Sequence, residues 1–202
     1  MRAEGPPAAR EEGLILGVDP GSVATGWGLV GGSGARPALI EAGVIRMAAR
    51  LPFAERLHRL RCEFEGLLLR LRPAEAAVEA PFHGPNSRAA LQLAHARGVV
   101  LAALGGAGVP VTEYAPASVK KAVTGSGSAE KAQVQAMIGR LLGLPRAPES
   151  ADEADALAVA ICHLTGREYR ERVAGPPVRS PRRRGRCCGE GTDRSARADD
   201  RT

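Results

Sequence analysis

Four carboxylates stand where chemistry could use them. Asp19 closes the short apolar run Leu14-Ile15-Leu16-Gly17-Val18, and Glu79 closes a second, Ala76-Ala77-Val78. Asp152 and Asp155 lie three residues apart at the start of a further apolar segment, a spacing that puts both on one helix face near the helix N-terminus. Singly, each has a structural explanation: a solvated Asp in a turn, a strand-end Glu, two acids in a first helical turn. Together, two strand-end acids and two helix acids make the oxygen-rich set that a hard cation such as Mg²⁺ prefers. Four carboxylates at close quarters would repel one another, and bound cations would relieve that repulsion.

The elements that must position these acids follow from local pattern. Leu14 to Val18 reads as a buried strand, Pro20-Gly21-Ser22 as a turn, and Thr25 to Val30 as a returning strand. After Gly31-Gly32-Ser33-Gly34, Ala38 to Met47 is expected as a third strand of an antiparallel meander. Leu57, Leu60, Phe64, Leu67, Leu68 and Leu71 recur at helical spacing, so Phe53 to Arg72 is expected as an amphipathic helix stopped by Pro73. Ala76 to Glu79 is a strand, Arg88 to about Leu104 a helix capped by Ser87, and Pro110 to Tyr114 a fifth strand. Pro116 opens a short helix bearing Lys120 and Lys121, and Ala129 to Leu142 forms another. Ser150 with Glu153 matches a capping box opening a last helix from Ala151 to Thr165, ended by Gly166. Strands separated by helices argue for parallel pairing. The expectation is an α/β fold: a five-stranded mixed sheet, antiparallel meander then parallel strands, with helices on both faces.

The formal net charge of +6 is unevenly distributed. Residues 167–202 hold 11 basic and 6 acidic residues, and residues 1–12 hold 2 and 3. The remainder, 13–166, is expected as the folded domain and is nearly balanced, so net charge alone says little about nucleic acid. Residues 1–12 read as a disordered extension and 167–202 as a disordered basic tail. No run resembles a transmembrane span or a signal peptide, and no Cys or His spacing suggests zinc. Cys62 and Cys162 read as small buried apolar residues, and a reducing cytoplasm fits best. His58, His83, His95 and His163 read as surface or packing residues. Phe82 stands out as an aromatic in a loop of small and polar residues, three after Glu79.

Four blocks carry a family resemblance: GVDPGSVATGWGLV at 17–30, VEAPFHGPNSRAALQLAHARG at 78–98, VTEYAPASVKKAVTGSGSAEKAQVQAMI at 111–138, and DEADALAVAICH at 152–163. In this order they resemble the RuvC family of Holliday-junction endonucleases, which have a ribonuclease H-like fold. Ala80-Pro81 and Gly84-Pro85 depart from the family's usual residues in the loop around Phe82. The resemblance implies Asp19, Glu79, Asp152 and Asp155 as catalytic, metal-binding acids holding two Mg²⁺ ions, with Mn²⁺ as a substitute. It also implies Lys120 and Lys131 as phosphate contacts and Phe82 as a wedge against bases at the junction centre, while Lys121, next to Lys120, reads equally as a phosphate contact or a solvated lysine. The implied partners are four-way junction DNA, a second copy in a C₂ homodimer, and a RuvA/RuvB-type branch-migration helicase; no membrane is expected. Two rivals stand beside it. An actin- or sugar-kinase-type ATPase shares the sheet topology but needs a second domain, and a non-catalytic junction-binding module needs none of the four acids.

Overall fold

The computed structural model describes residues 13–80, 87–148 and 150–174. Its strands are β1 (Ile15–Asp19), β2 (Ala24–Ser33), β3 (Arg36–Arg46), β4 (Glu75–Glu79) and β5 (Val111–Tyr114). Its helices are α1 (Phe53–Leu71), α2 (Ser87–Gly106), α3 (Pro116–Thr124), α4 (Lys131–Leu141) and α5 (Ala151–Ala174). The sheet runs β3-β2-β1-β4-β5. β1 pairs antiparallel with β2, and β2 with β3, while β1–β4 and β4–β5 are parallel.

Both faces of the sheet are covered, which is why β1 and β4 are continuously apolar rather than alternating. Leu16, Val18, Ala76 and Val78 join the core under α1 and α2. Ile15 and Ala77 join the core under α3, α4 and α5. With a side-chain period of two, Gly17, Asp19, Glu75 and Glu79 therefore fall on the α5 face. Asp19 and Glu79 sit at the carboxyl ends of neighbouring strands, the usual end for ligands in open α/β sheets.

α5 lies directly on the middle of the sheet because that patch lacks side chains. A methyl group on Gly17 would strike the Ala156 carbonyl and the Ala160 side chain, and on Gly26 it would strike the Asp152 carbonyl. On Gly28 it would come within 2.5 Å of Leu157 Cδ2. Gly26 is also the β2 residue paired with Asp19. The glycine floor thus sets the first turn of α5 beside the end of β1.

Two features depart from the sequence reading. The last helix does not stop at Gly166 but runs to Ala174, so it carries eight residues into the segment expected as tail. A helix-interior glycine costs only about 1 kcal/mol, and Arg167 beyond it is docked, its Nη1 3.4 Å from Glu75 Oε1. The second concerns α2. Arg88–Gly106 is long and apolar enough by length and composition to cross a membrane, at a mean hydropathy of 1.2, and most of it is unburied. Ala96, Val100 and Leu104 nevertheless belong to the core, and Arg97 at its centre is ion-paired with Glu113. α2 is a core helix with an uncovered apolar side. In addition, Cys62 is exposed on α1, whereas Cys162 is buried.

Candidate active site

Asp19 and Glu79 arrive on adjacent parallel strands, and Asp152 and Asp155 descend onto them from the start of α5. Burial, then the charges of Glu79 and Asp155, push the Asp19 carboxyl up to about 8. Asp19 hydrogen-bonds Glu79, a contact that holds the proton on Asp19. Burial, together with Asp155, also raises Glu79, against the pull of Asp19, Lys131 and Lys120. The four acids brought together from three distant segments are those expected from sequence.

Lys131 answers this negative charge. Its Nζ lies 2.8 Å from Asp155 Oδ2, and Asp155, Asp19 and Asp152 hold its ammonium above the ordinary lysine range. Lys131 opens α4, where Glu130 and Gln133 form a reciprocal capping box that fixes the helix start. Lys120 of α3, half-buried, lines a cavity of about 230 Å³ with Glu79, Lys131 and Asp155. Lys121 does not line that cavity and is exposed in the last turn of α3. Phe82 and His83 lie outside the described residues.

Among the described residues, no three Asp, Glu, His or Cys side chains are gathered closely enough to hold a metal ion as they stand. A proton held on Asp19 against Glu79 and the Lys131 ammonium beside Asp155 offset part of the negative charge there. The donor set still fits a hard cation: four carboxylates, one with its proton held well above the ordinary range by burial and by the charges of its acidic neighbours.

The supporting side chains escaped the sequence reading. Thr25, fully buried, donates its hydroxyl to Gly21 O at 3.0 Å and accepts from Gly21 N at 3.2 Å, fixing the turn after Asp19. Arg56, buried at the start of α1, donates to Ser22 O at 3.1 Å. Arg97 of α2 directs Nε at Glu79 O, 3.4 Å away, and places Nη2 2.6 Å from Glu113 Oε2. The sequence signal for Thr25 was a Thr four residues after a turn glycine. Arg56 and Arg97 gave none, because an arginine between apolar helical positions reads as solvated.

Residues 15–163 match the family described as crossover junction endodeoxyribonuclease RuvC. The chain belongs to the RuvC family. A RuvC relative from Anaeromyxobacter dehalogenans is 49% identical over 162 residues, covering 80% of this chain and 86% of that one. Another, from Magnetococcus marinus, is 42% identical over 172 residues, covering 85% and 95%. Among solved structures, Thermus thermophilus RuvC in complex with Holliday junction substrate superposes with a TM-score of 0.74 at 36% identity, covering 78% of this chain and 96% of that one. The yeast mitochondrial Holliday junction resolvase Ydc2 shares the fold, at a TM-score of 0.58 and 12% identity over 77% of this chain and 79% of that one. RuvC-type nucleases are metal-dependent hydrolases.

Proposed function

We propose that this chain resolves four-way DNA junctions by paired symmetric nicks, hydrolysing phosphodiesters at a centre built from Asp19, Glu79, Asp152 and Asp155. The observation that carries the reading is the convergence of these acids, within a RuvC-family frame, at the carboxyl edge of the sheet. Two Mg²⁺ ions held there, or Mn²⁺ in their place, would activate a water and stabilise the leaving 3′ oxygen. The protein's own part is positioning. β1 and β4 aim two carboxylates, the glycine floor brings in two more, and the Asp19 proton must leave before its carboxylate can act as a ligand. Lys120 and Lys131 supply positive charge where the scissile phosphate would approach, and Lys121, exposed on α3, would add a further phosphate contact. Phe82, three residues after Glu79 in the sequence, is assigned by the family resemblance to wedge against bases at the junction centre.

A four-way junction is two-fold symmetric, and a C₂ homodimer would present two such centres. The α1–α2 groove, about 690 Å³ and lined by Leu57, Val99, Ala102 and Ala103, supports α2 as the shared face. Cooperation with a RuvA/RuvB-type helicase and a cytoplasmic location rest on the family resemblance. Incubating the protein with a synthetic junction and, separately, with ATP separates the readings. Mg²⁺-dependent nicking without ATP turnover supports the proposal. Binding without nicking would favour a junction-binding module, and ATP hydrolysis a kinase-type domain.

A further inference from the structure

Midway along α5 lies a buried polar cluster that the proposed chemistry does not use. His163 is 1% exposed. Its Nδ1 is 3.0 Å from the Tyr114 hydroxyl at the end of β5, and its Nε2 is 2.8 Å from Glu75 Oε2 at the start of β4. The Tyr114 ring meets the imidazole edge-on, with centroids 5.8 Å apart. Arg167, one turn on, reaches the other Glu75 oxygen at 3.4 Å. Burial alone would raise the Glu75 carboxyl, but His163 and Arg167 hold it below the ordinary range.

The cluster spans three elements, and its place on α5 gives it a consequence. His163 follows Asp152 by eleven residues, about three helical turns and roughly 16 Å, so the two point in nearly the same direction from the helix. Between them small residues make most of the contact, Gly17 against Ala156 and Ala160, with the Leu157 side chain over Gly28. Such a surface fixes how closely the two approach but offers few ridges to resist sliding or rolling. Two directional hydrogen bonds from different strands supply what the flat contact lacks.

We infer that His163, clasped by Tyr114 and Glu75, is a positioning residue that sets the lengthwise and rotational register of α5, and through it the placement of Asp152 and Asp155 over Asp19 and Glu79. The inference rests on the proposed metal-dependent centre. Loss of the clasp lets the helix shift on its glycine floor, and a displacement near 1 Å is enough to cost up to about 100-fold in rate. Junction affinity, set by lysines and backbone, stays as it was.

The test compares wild type, His163→Leu and the milder Tyr114→Phe, with Asp155→Asn as a control. For each, kcat and KM on a four-way junction, the Mg²⁺ concentration giving half the maximal rate, and the Mg²⁺-induced rise in Tm are measured. The expected result for His163→Leu is a kcat at least tenfold lower, a KM within twofold of wild type, a higher Mg²⁺ midpoint and a smaller Mg²⁺-induced rise in Tm. Tyr114→Phe follows in the same direction with a smaller change, and decides the matter alone if His163→Leu does not fold. Variants that lose Tm in EDTA but keep wild-type kcat and the full Mg²⁺ response would overturn the inference and leave the cluster purely structural. Absence of Mg²⁺-dependent cleavage in wild type would instead remove the proposed centre itself.

Discussion

Asp19→Asn should make the metal-free protein more stable near neutral pH, although it destroys activity. The folded-state carboxyl is raised from 3.8 to about 8 by burial and by its acidic neighbours. A group raised in this way stabilises the fold fully below its unfolded value and loses that contribution as pH climbs through the folded one. Between pH 3.8 and about 8 the folded state retains a proton that the unfolded chain has released, so stability falls by about 1.4 kcal/mol per pH unit. From pH 5 to 8 the loss is on the order of 4 kcal/mol, or about 10 °C in Tm for a chain of this size. Asparagine copies the neutral carboxyl's shape and cannot ionise, so its slope from this position is zero. Denaturant titrations in EDTA at several pH values, wild type beside Asp19→Asn, read the difference directly. The curves should diverge steadily above pH 5 in favour of the variant. Mg²⁺ should restore wild type at pH 8 by stabilising the ionised cluster, and should restore the variant far less. Parallel curves, or a variant that loses ground as pH rises, would refute the electrostatic account of the site.

The other expectations are briefer. Glu79→Gln, Asp152→Asn and Asp155→Asn should each abolish cleavage while gel-shift affinity for a junction stays near wild type. Lys131→Ala should lower the slope of log affinity against log salt by about one, whereas Phe82→Ala should leave that slope alone and be rescued on a junction already unpaired at its centre. Gly26→Ala should cost roughly 1–3 kcal/mol in denaturant unfolding, because the added methyl drives the Asp152 backbone off the sheet, and cleavage should fall with it. Truncation after Ala174 should preserve folding and cleavage, while truncation after Gly166 should lower stability by up to about 1 kcal/mol, since it removes the partly buried Arg167–Glu75 pair.

Much of the site was legible because its signals are local. A strand ending on an acid and two acids three apart in a first helical turn are patterns of a few residues, and the family blocks tie them together. The sheet was legible for a related reason: apolar runs bounded by glycine and proline mark strands even when their ends shift, as at β3, which begins at Arg36 rather than Ala38. What stayed hidden depends on contacts between distant segments. Gly17, Gly26 and Gly28 read as weak points in strands, and only the docked α5 shows why a side chain is excluded there. Gly166 read as a stop because the partner that carries the helix past it, Glu75, lies about ninety residues away. His163 and Arg97 looked like ordinary helical polar residues for the same reason.

The central claim is that two copies of this acidic centre cut a junction together. A supercoiled plasmid carrying an extruded cruciform tests it most directly. In Mg²⁺ the wild-type protein should convert the plasmid to linear product by paired nicks across the junction, with little nicked circle accumulating. Asp155→Asn should yield neither product. Linearisation that persists in EDTA, or nicked circles that never become linear, would contradict the account.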